Sequence, residues 1–126
     1  MHIPDLSPCP FCVPDGIILQ NSLAHVRFDK SPVSQGHCLI IPFRHVADYF
    51  VTTEEERIAM LALADLARKM LDRDFRPGGY NLGINVGEVA GQTVPHVHLH
   101  LIPRYPGDVE NPRGGVRGII PARQNY

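Results

Sequence analysis

Residues 95–102 read PHVHLHLI. His96, His98 and His100 take alternate positions, and Val97, Leu99 and Leu101 fill the places between and after them. On a β-strand, side chains alternate between faces, and residues two apart lie ~6.6 Å apart on the same face. The segment is therefore a strand with imidazoles on one side and aliphatic groups on the other. The aliphatic side needs a second layer to bury it. The other side needs a reason for imidazoles, because Thr, Lys or Glu would serve a merely solvated face.

A candidate second layer lies upstream. Residues 52–75, TTEEERIAMLALADLARKMLDRDF, have helical periodicity. Met60, Leu63, Ala64, Ala67, Met70 and Leu71 form a wide apolar stripe, with Ile58, Leu61, Ala62 and Asp65 on another side. Thr52 with Glu55, or Thr53 with Glu56, fits a capping box, and the acidic first turn suits the helix dipole. Pro77, Gly78 and Gly79 stop the pattern, so the helix is predicted over 53–75.

Around it lie strand signals. Residues 16–29 read as two strands about a tight turn near 21–22. Residues 37–43, HCLIIPF, read as a buried strand stopped at Pro42; 80–87 alternate; 96–104 end at Pro103. Pro-rich residues 1–16 read as irregular. Residues 107–126, dense in Pro, Gly and Arg, read as an extended tail with one short strand at 118–120. The order predicts one α+β domain over residues 1–126, an antiparallel sheet of about five strands with one long helix packed on one face.

Composition excludes several classes. Hydrophobic content of 44% and a formal net charge of −1 argue against disorder and against a nucleic-acid surface. The longest apolar stretch, IAMLALADLA, is short and carries Asp65, so no membrane partner is expected. Three cysteines, with no apolar leader-like segment before them, fit a reducing, cytoplasmic setting.

Two chemistries suit the histidines. Alternate imidazoles bind zinc well. Alternatively, the middle one attacks phosphorus while a hydrogen bond from its other nitrogen to a backbone carbonyl fixes the tautomer. The P–N bond so formed is labile, and one hard displacement becomes two easier ones. A flanking histidine can then serve the leaving group. The preceding loop EVAGQT favours the second reading. Gly91 permits close backbone approach, and Gln92 and Thr93 are donors for phosphate oxygens. Separately, CPFC places Cys9 and Cys12 at zinc half-site spacing, with His37, His45 and His96 as candidates for the other half. A pair of buried thiols is the plain alternative.

With GQTVPHVHLHLIPR, RFDKSPVSQGHCLIIPFRH and INVGEVAGQTV in view, the chain resembles the histidine triad (HIT) family over about residues 9–106. The resemblance implies a HIT-like fold and a homodimer with a joined sheet. It also implies hydrolase or nucleotidyltransferase activity at the α-phosphate of nucleotide conjugates. Those conjugates are phosphoramidates, acyl-nucleotides or dinucleoside polyphosphates such as diadenosine tetraphosphate, with purine bases expected. Carried over, His98 is the nucleophile, His100 contacts the α-phosphate and assists departure, and His37 supports them. Asp29 matches a ribose-binding carboxylate; Asn85, Gln92 and Thr93 match phosphate-holding residues. The same resemblance assigns Cys9, Cys12, His45 and His96 to a structural zinc. A plain turn role for Asp29 and a strand-end amide role for Asn85 remain open. So does a non-catalytic nucleotide-binding scaffold. His25 is expected to face solvent, Cys38 to be core, and Arg104, Arg113, Arg117 and Arg123 to belong to a solvated tail.

Overall fold

The computed structural model describes residues 9–126. The irregular segment expected over 1–16 lies, for residues 1–8, outside the described residues. The strands are β1 (Leu19–Gln20), β2 (Ala24–Phe28), β3 (Cys38–Pro42), β4 (Gly79–Gly83) and β5 (Leu99–Arg104), with one long helix, α1 (Glu54–Phe75), between β3 and β4. They form one antiparallel sheet in the order β1-β2-β3-β5-β4. The expected α+β architecture is the observed one.

Register decides which residues share a face. Arg27 pairs with Leu39, Leu39 with His100, and His100 with Gly83, so these four run in one row across the sheet. The neighbouring row, Val26–Ile40–Leu99, points the other way. It meets Met60, Leu63, Ala64, Ala67 and Leu71 of α1, which are 0–5% exposed. The helix covers this face only. Imidazoles and the helix thus sit on opposite sides of the sheet, as the alternation required.

Local chemistry sets the boundaries. Asn21 Oδ1 accepts from the N–H groups of Leu23 (3.1 Å) and Ala24 (2.9 Å), closing the β1–β2 turn. Thr53 and Glu56 form the capping box, and Arg76 ends the helix in a left-handed conformation (φ 50°). Strand β5 starts at Leu99 rather than His96. Its ladder with β3 spans only Cys38–Ile40, and upstream the Val97 N–H donates to Val46 O (2.7 Å) instead.

The tail differs most from expectation. Residues 118–120 are not a strand. Gly115–Ile119 and Pro121–Arg123 are 3₁₀ turns. Gly114 has φ 87°, and a side chain there would collide with Gln124 O. Arg117 donates to Arg123 O (2.9 Å) and lies 4.7 Å from the Tyr126 ring centre, which Arg113 also faces. Arginines that read as a solvated tail therefore hold it folded.

Glu56 links this cap to a charge. Its side chain is 5% exposed and accepts from Arg44 Nη2 (2.8 Å) and Nε (3.1 Å). Arg44, and next the Thr53 N–H, overcome the burial that opposes ionisation and hold the carboxyl at about 2. A depressed carboxyl stabilises the fold above its unfolded value of ~4.3 and loses that contribution as pH falls toward 2. Glu56→Ala should lower stability by about 1–2 kcal/mol in urea unfolding at pH 7. The gap to the native protein should narrow below pH ~4.

Candidate functional site

The row Arg27–Leu39–His100–Gly83 forms part of the site's base. A cavity of about 410 Å³ opens over it, lined by Phe11, Phe28, Asp29, Asn85, Gly91, Thr93, His98 and His100, among others. Asp29, Asn85, Gly91, Thr93, His98 and His100, all expected at the site, are thus brought to one place.

Backbone groups set the imidazole tautomers. His98 Nδ1 lies 2.8 Å from the His96 carbonyl. A carbonyl only accepts, so Nδ1 carries the proton and neutral His98 keeps its lone pair on Nε2. His37 is arranged the other way. The Val33 N–H donates to His37 Nδ1 (3.1 Å), so neutral His37 holds its proton on Nε2 and donates it to His100 Nδ1 (2.9 Å). His100 must then carry its own proton on Nε2. The cavity receives one imidazole lone pair and one imidazole N–H.

Burial also keeps these rings neutral. It pushes His100 down to about 4, with His98 and His37 adding repulsion. It lowers His37 as well, against the pull of Asp29. Asp29 Oδ2 lies 3.6 Å from His37 Nε2, too far for a hydrogen bond. Its Oδ1 accepts from the Ser31 N–H (2.9 Å), the turn geometry open to it from sequence. It faces the cavity as well.

Gln92 takes a different place from a phosphate donor. Its Oε1 accepts from the Gly87 N–H (2.8 Å), and its amide donates to Ala47 O (2.8 Å) and Val94 O (3.1 Å). It shapes the loop from within. Gly91, at φ 94°, supplies a left-handed turn that disfavours any other residue.

The first histidine leaves the trio. His96 is fully buried, and its Nε2–H donates to Pro42 O (2.7 Å), so its lone pair is on Nδ1. That atom lies 3.4 Å from Cys9 Sγ, 3.5 Å from Cys12 Sγ and 3.2 Å from His45 Nδ1; Cys12 Sγ and His45 Nδ1 are 3.2 Å apart. Four ligand atoms around a tetrahedral ion with metal–sulfur bonds of ~2.3 Å and metal–nitrogen bonds of ~2.0 Å sit ~3.3–3.8 Å apart. Cys9, Cys12, His45 and His96 are therefore a group able to hold a metal. Asp29, His37 and His100 also cluster, but the facing nitrogens of His37 and His100 already share a proton.

Two residues at the site escaped the sequence reading. Arg27 is 4% exposed and donates to Pro10 O (2.9 Å) and Val13 O (2.7 Å), clamping the CPFC loop to the sheet. The clamp sets Phe11 4.8 Å from the His98 ring, centre to centre. His25, expected to face solvent, is 1% exposed. The same loop covers it, and burial pushes it down to about 4. Alternation put both on the imidazole face, but nothing in the sequence said what covers that face beside the histidines.

A family model described as the HIT domain matches residues 12–107. An uncharacterized HIT-like protein of Mycoplasma genitalium is 37% identical over 105 residues, 79% of this chain and 74% of that one. The asymmetrical bis(5'-nucleosyl)-tetraphosphatase of Schizosaccharomyces pombe is 33% identical over 98 residues, 78% of this chain but only 54% of its own length. The crystal structure of a Zn-bound histidine triad family protein from Mycobacterium smegmatis matches with a TM-score of 0.74 at 32% identity, covering 82% of this chain and 79% of that one. Among the described residues, no helix is long and apolar enough to cross a membrane.

Long-range proton–nitrogen NMR should find His98 protonated on Nδ1, and His37 and His100 on Nε2, in their neutral forms. An Nε2–H signal from neutral His98 would remove the lone pair from the cavity.

Proposed function

The chain belongs to the HIT family, and from that premise we propose that it is a nucleotide hydrolase or transferase working through a covalent nucleotidyl-His98 intermediate. The observation that carries this is the opposed pair of imidazoles, a lone pair on His98 beside an N–H on His100. The printed name of the tetraphosphatase relative supports a phosphorus-centred reaction on nucleotides.

The nucleoside enters with its ribose toward Asp29, and the α-phosphate rests against Asn85, Thr93, the backbone at Gly91 and His100. His98 Nε2 attacks phosphorus, and the bond to the leaving group breaks. Nδ1–H stays on the His96 carbonyl, which holds the imidazolium as it forms. His100, kept neutral by burial, acts as a fixed hydrogen-bond donor to the phosphorus centre rather than as an acid. A nitrogen leaving group takes its proton from water. The hydroxide that remains attacks phosphorus, breaks the P–N bond and restores His98, so atoms and charge balance over the two steps. An acceptor other than water at that stage makes the same enzyme a transferase.

Zinc in the Cys9–Cys12–His45–His96 group would be structural. Four protein ligands leave no open position, and the group ties the CPFC loop to the sheet. Strand β4 is a sheet edge, which supports a homodimer joined through that edge.

His98→Ala should abolish AMP release from adenosine 5′-phosphoramidate, by on the order of 10⁴-fold or more, with the fold intact. His100→Ala should cost roughly 10²–10³-fold, the scale of one lost donor. Full turnover by His98→Ala would exclude the mechanism. The purified protein should carry about one zinc per chain by elemental analysis; Cys12→Ser should lose it and unfold at lower temperature.

A further inference from the structure

The space around His100 does not end at the nucleotide cavity. A second cavity of about 270 Å³ adjoins the first, with His100 and Asn85 common to both. Its floor includes Gly83 and Asn81 of β4 beside His100 and Ile102 of β5, which register places on the imidazole face. One wall is Val33; the other is Val116, in the folded tail beyond the matched residues 12–107. A third cavity, of about 390 Å³, shares Val33, Asn81 and Ile102 with the second and ends among tail residues. A groove therefore leads from the reacting centre to the underside of the tail.

Two features define its chemistry. Gly83 stands opposite His100, and a Cβ there would meet nothing within 4 Å. The missing side chain is what leaves room. The groove also offers no free cation. The lining of the second cavity holds no Lys or Arg. In the third, Arg104 is spent on Asp108 (2.7 and 2.9 Å) and Asn81 (2.6 Å). Tail residues Arg113 and Arg117 are turned to Tyr126 and to backbone carbonyls. A departing polyphosphate carries several negative charges and needs cations along its path. Val33, Ile102 and Val116 instead suit an uncharged, apolar body.

We propose that this groove is the leaving-group subsite, that it seats an uncharged, largely apolar amine, and that Gly83 and Val116 set what fits. The inference rests on the nucleotidyl-His98 reading above. The natural substrate class is then a nucleoside 5′-phosphoramidate of an apolar amine. The P–N bond breaks in the first step, the amine nitrogen gains a proton from water, and the neutral amine leaves beneath the tail.

The test measures kcat/KM of the full chain on adenosine 5′-phosphoramidate, its N-benzyl derivative and diadenosine tetraphosphate. The native protein should prefer the benzyl compound to the tetraphosphate by about tenfold or more. Gly83→Val, which fills the floor, and Val116→Asp, which makes the wall polar, should each lower the benzyl-to-plain ratio by about tenfold. A ratio taken on one preparation is insensitive to any misfolded fraction. Ratios unmoved in both variants, or a native preference for the tetraphosphate, would overturn the subsite while leaving the nucleophile standing. Full turnover by His98→Ala, or none by the native protein on all three compounds, would instead remove the parent reading and the subsite with it.

Discussion

His96 joins two halves of the molecule through opposite ends of one residue. Its ring is buried and faces the thiols of Cys9 and Cys12. Its carbonyl, fixed by the same placement, receives the Nδ1–H of His98. A shift of His96 would loosen the CPFC loop and misdirect the reacting imidazole together. The bond from His96 Nε2 to Pro42 O anchors both ends to the last residue of β3. A site exact to fractions of an ångström needs such supports, because small misplacements are costly in rate.

Titratable groups do not set the direction of these hydrogen bonds. The His96 carbonyl only accepts and the Val33 N–H only donates. Neither changes with pH. The imidazoles between them are forced into complementary tautomers. Burial then opposes the one change that would break the pattern, protonation of His37 or His100. Neutral imidazoles beside an anionic substrate might seem a weak choice. They suit a nucleophile that needs a lone pair and a donor that need not hand over its proton.

The sequence carried the two-layer fold and most of the site because both follow from short-period patterns. Alternation over 96–101 separates imidazoles from core, and the 3.6-residue stripe of α1 supplies the covering layer. CPFC and its partner histidines were legible through resemblance, and the four side chains do converge. What period cannot encode is which distant segment lies on which face. Arg27 and His25 were placed on the correct side of β2, but their burial depends on residues 9–13 folding back over the sheet. Gln92 read as a donor because its type allows it; only the folded loop shows its amide already engaged. The tail failed for a related reason. Gly, Pro and Arg resemble solvated linker, and the Tyr126 ring that gathers Arg113 and Arg117 comes at the very end of the chain.

One face of the sheet is closed by a single helix, whereas the other is shared among unrelated segments. Residues 9–13 cover β2 and are held by Arg27. The turn after β2 rises beside His37 and is braced by Ser34, which donates to Pro103 O (2.7 Å). The tail lies over Asn81, where a Cβ on Gly115 would come within 3.4 Å of the amide nitrogen. Each covering segment stops short of the next, and the strip left between them is where His98, His100 and Gly83 lie. The site is therefore a seam between covers rather than a pit in the core. Its width depends on loops and tail, while its floor is fixed by strand register. Such a division lets one invariant reacting geometry be fitted with different walls, and Val116 is the wall this chain has built from its own tail.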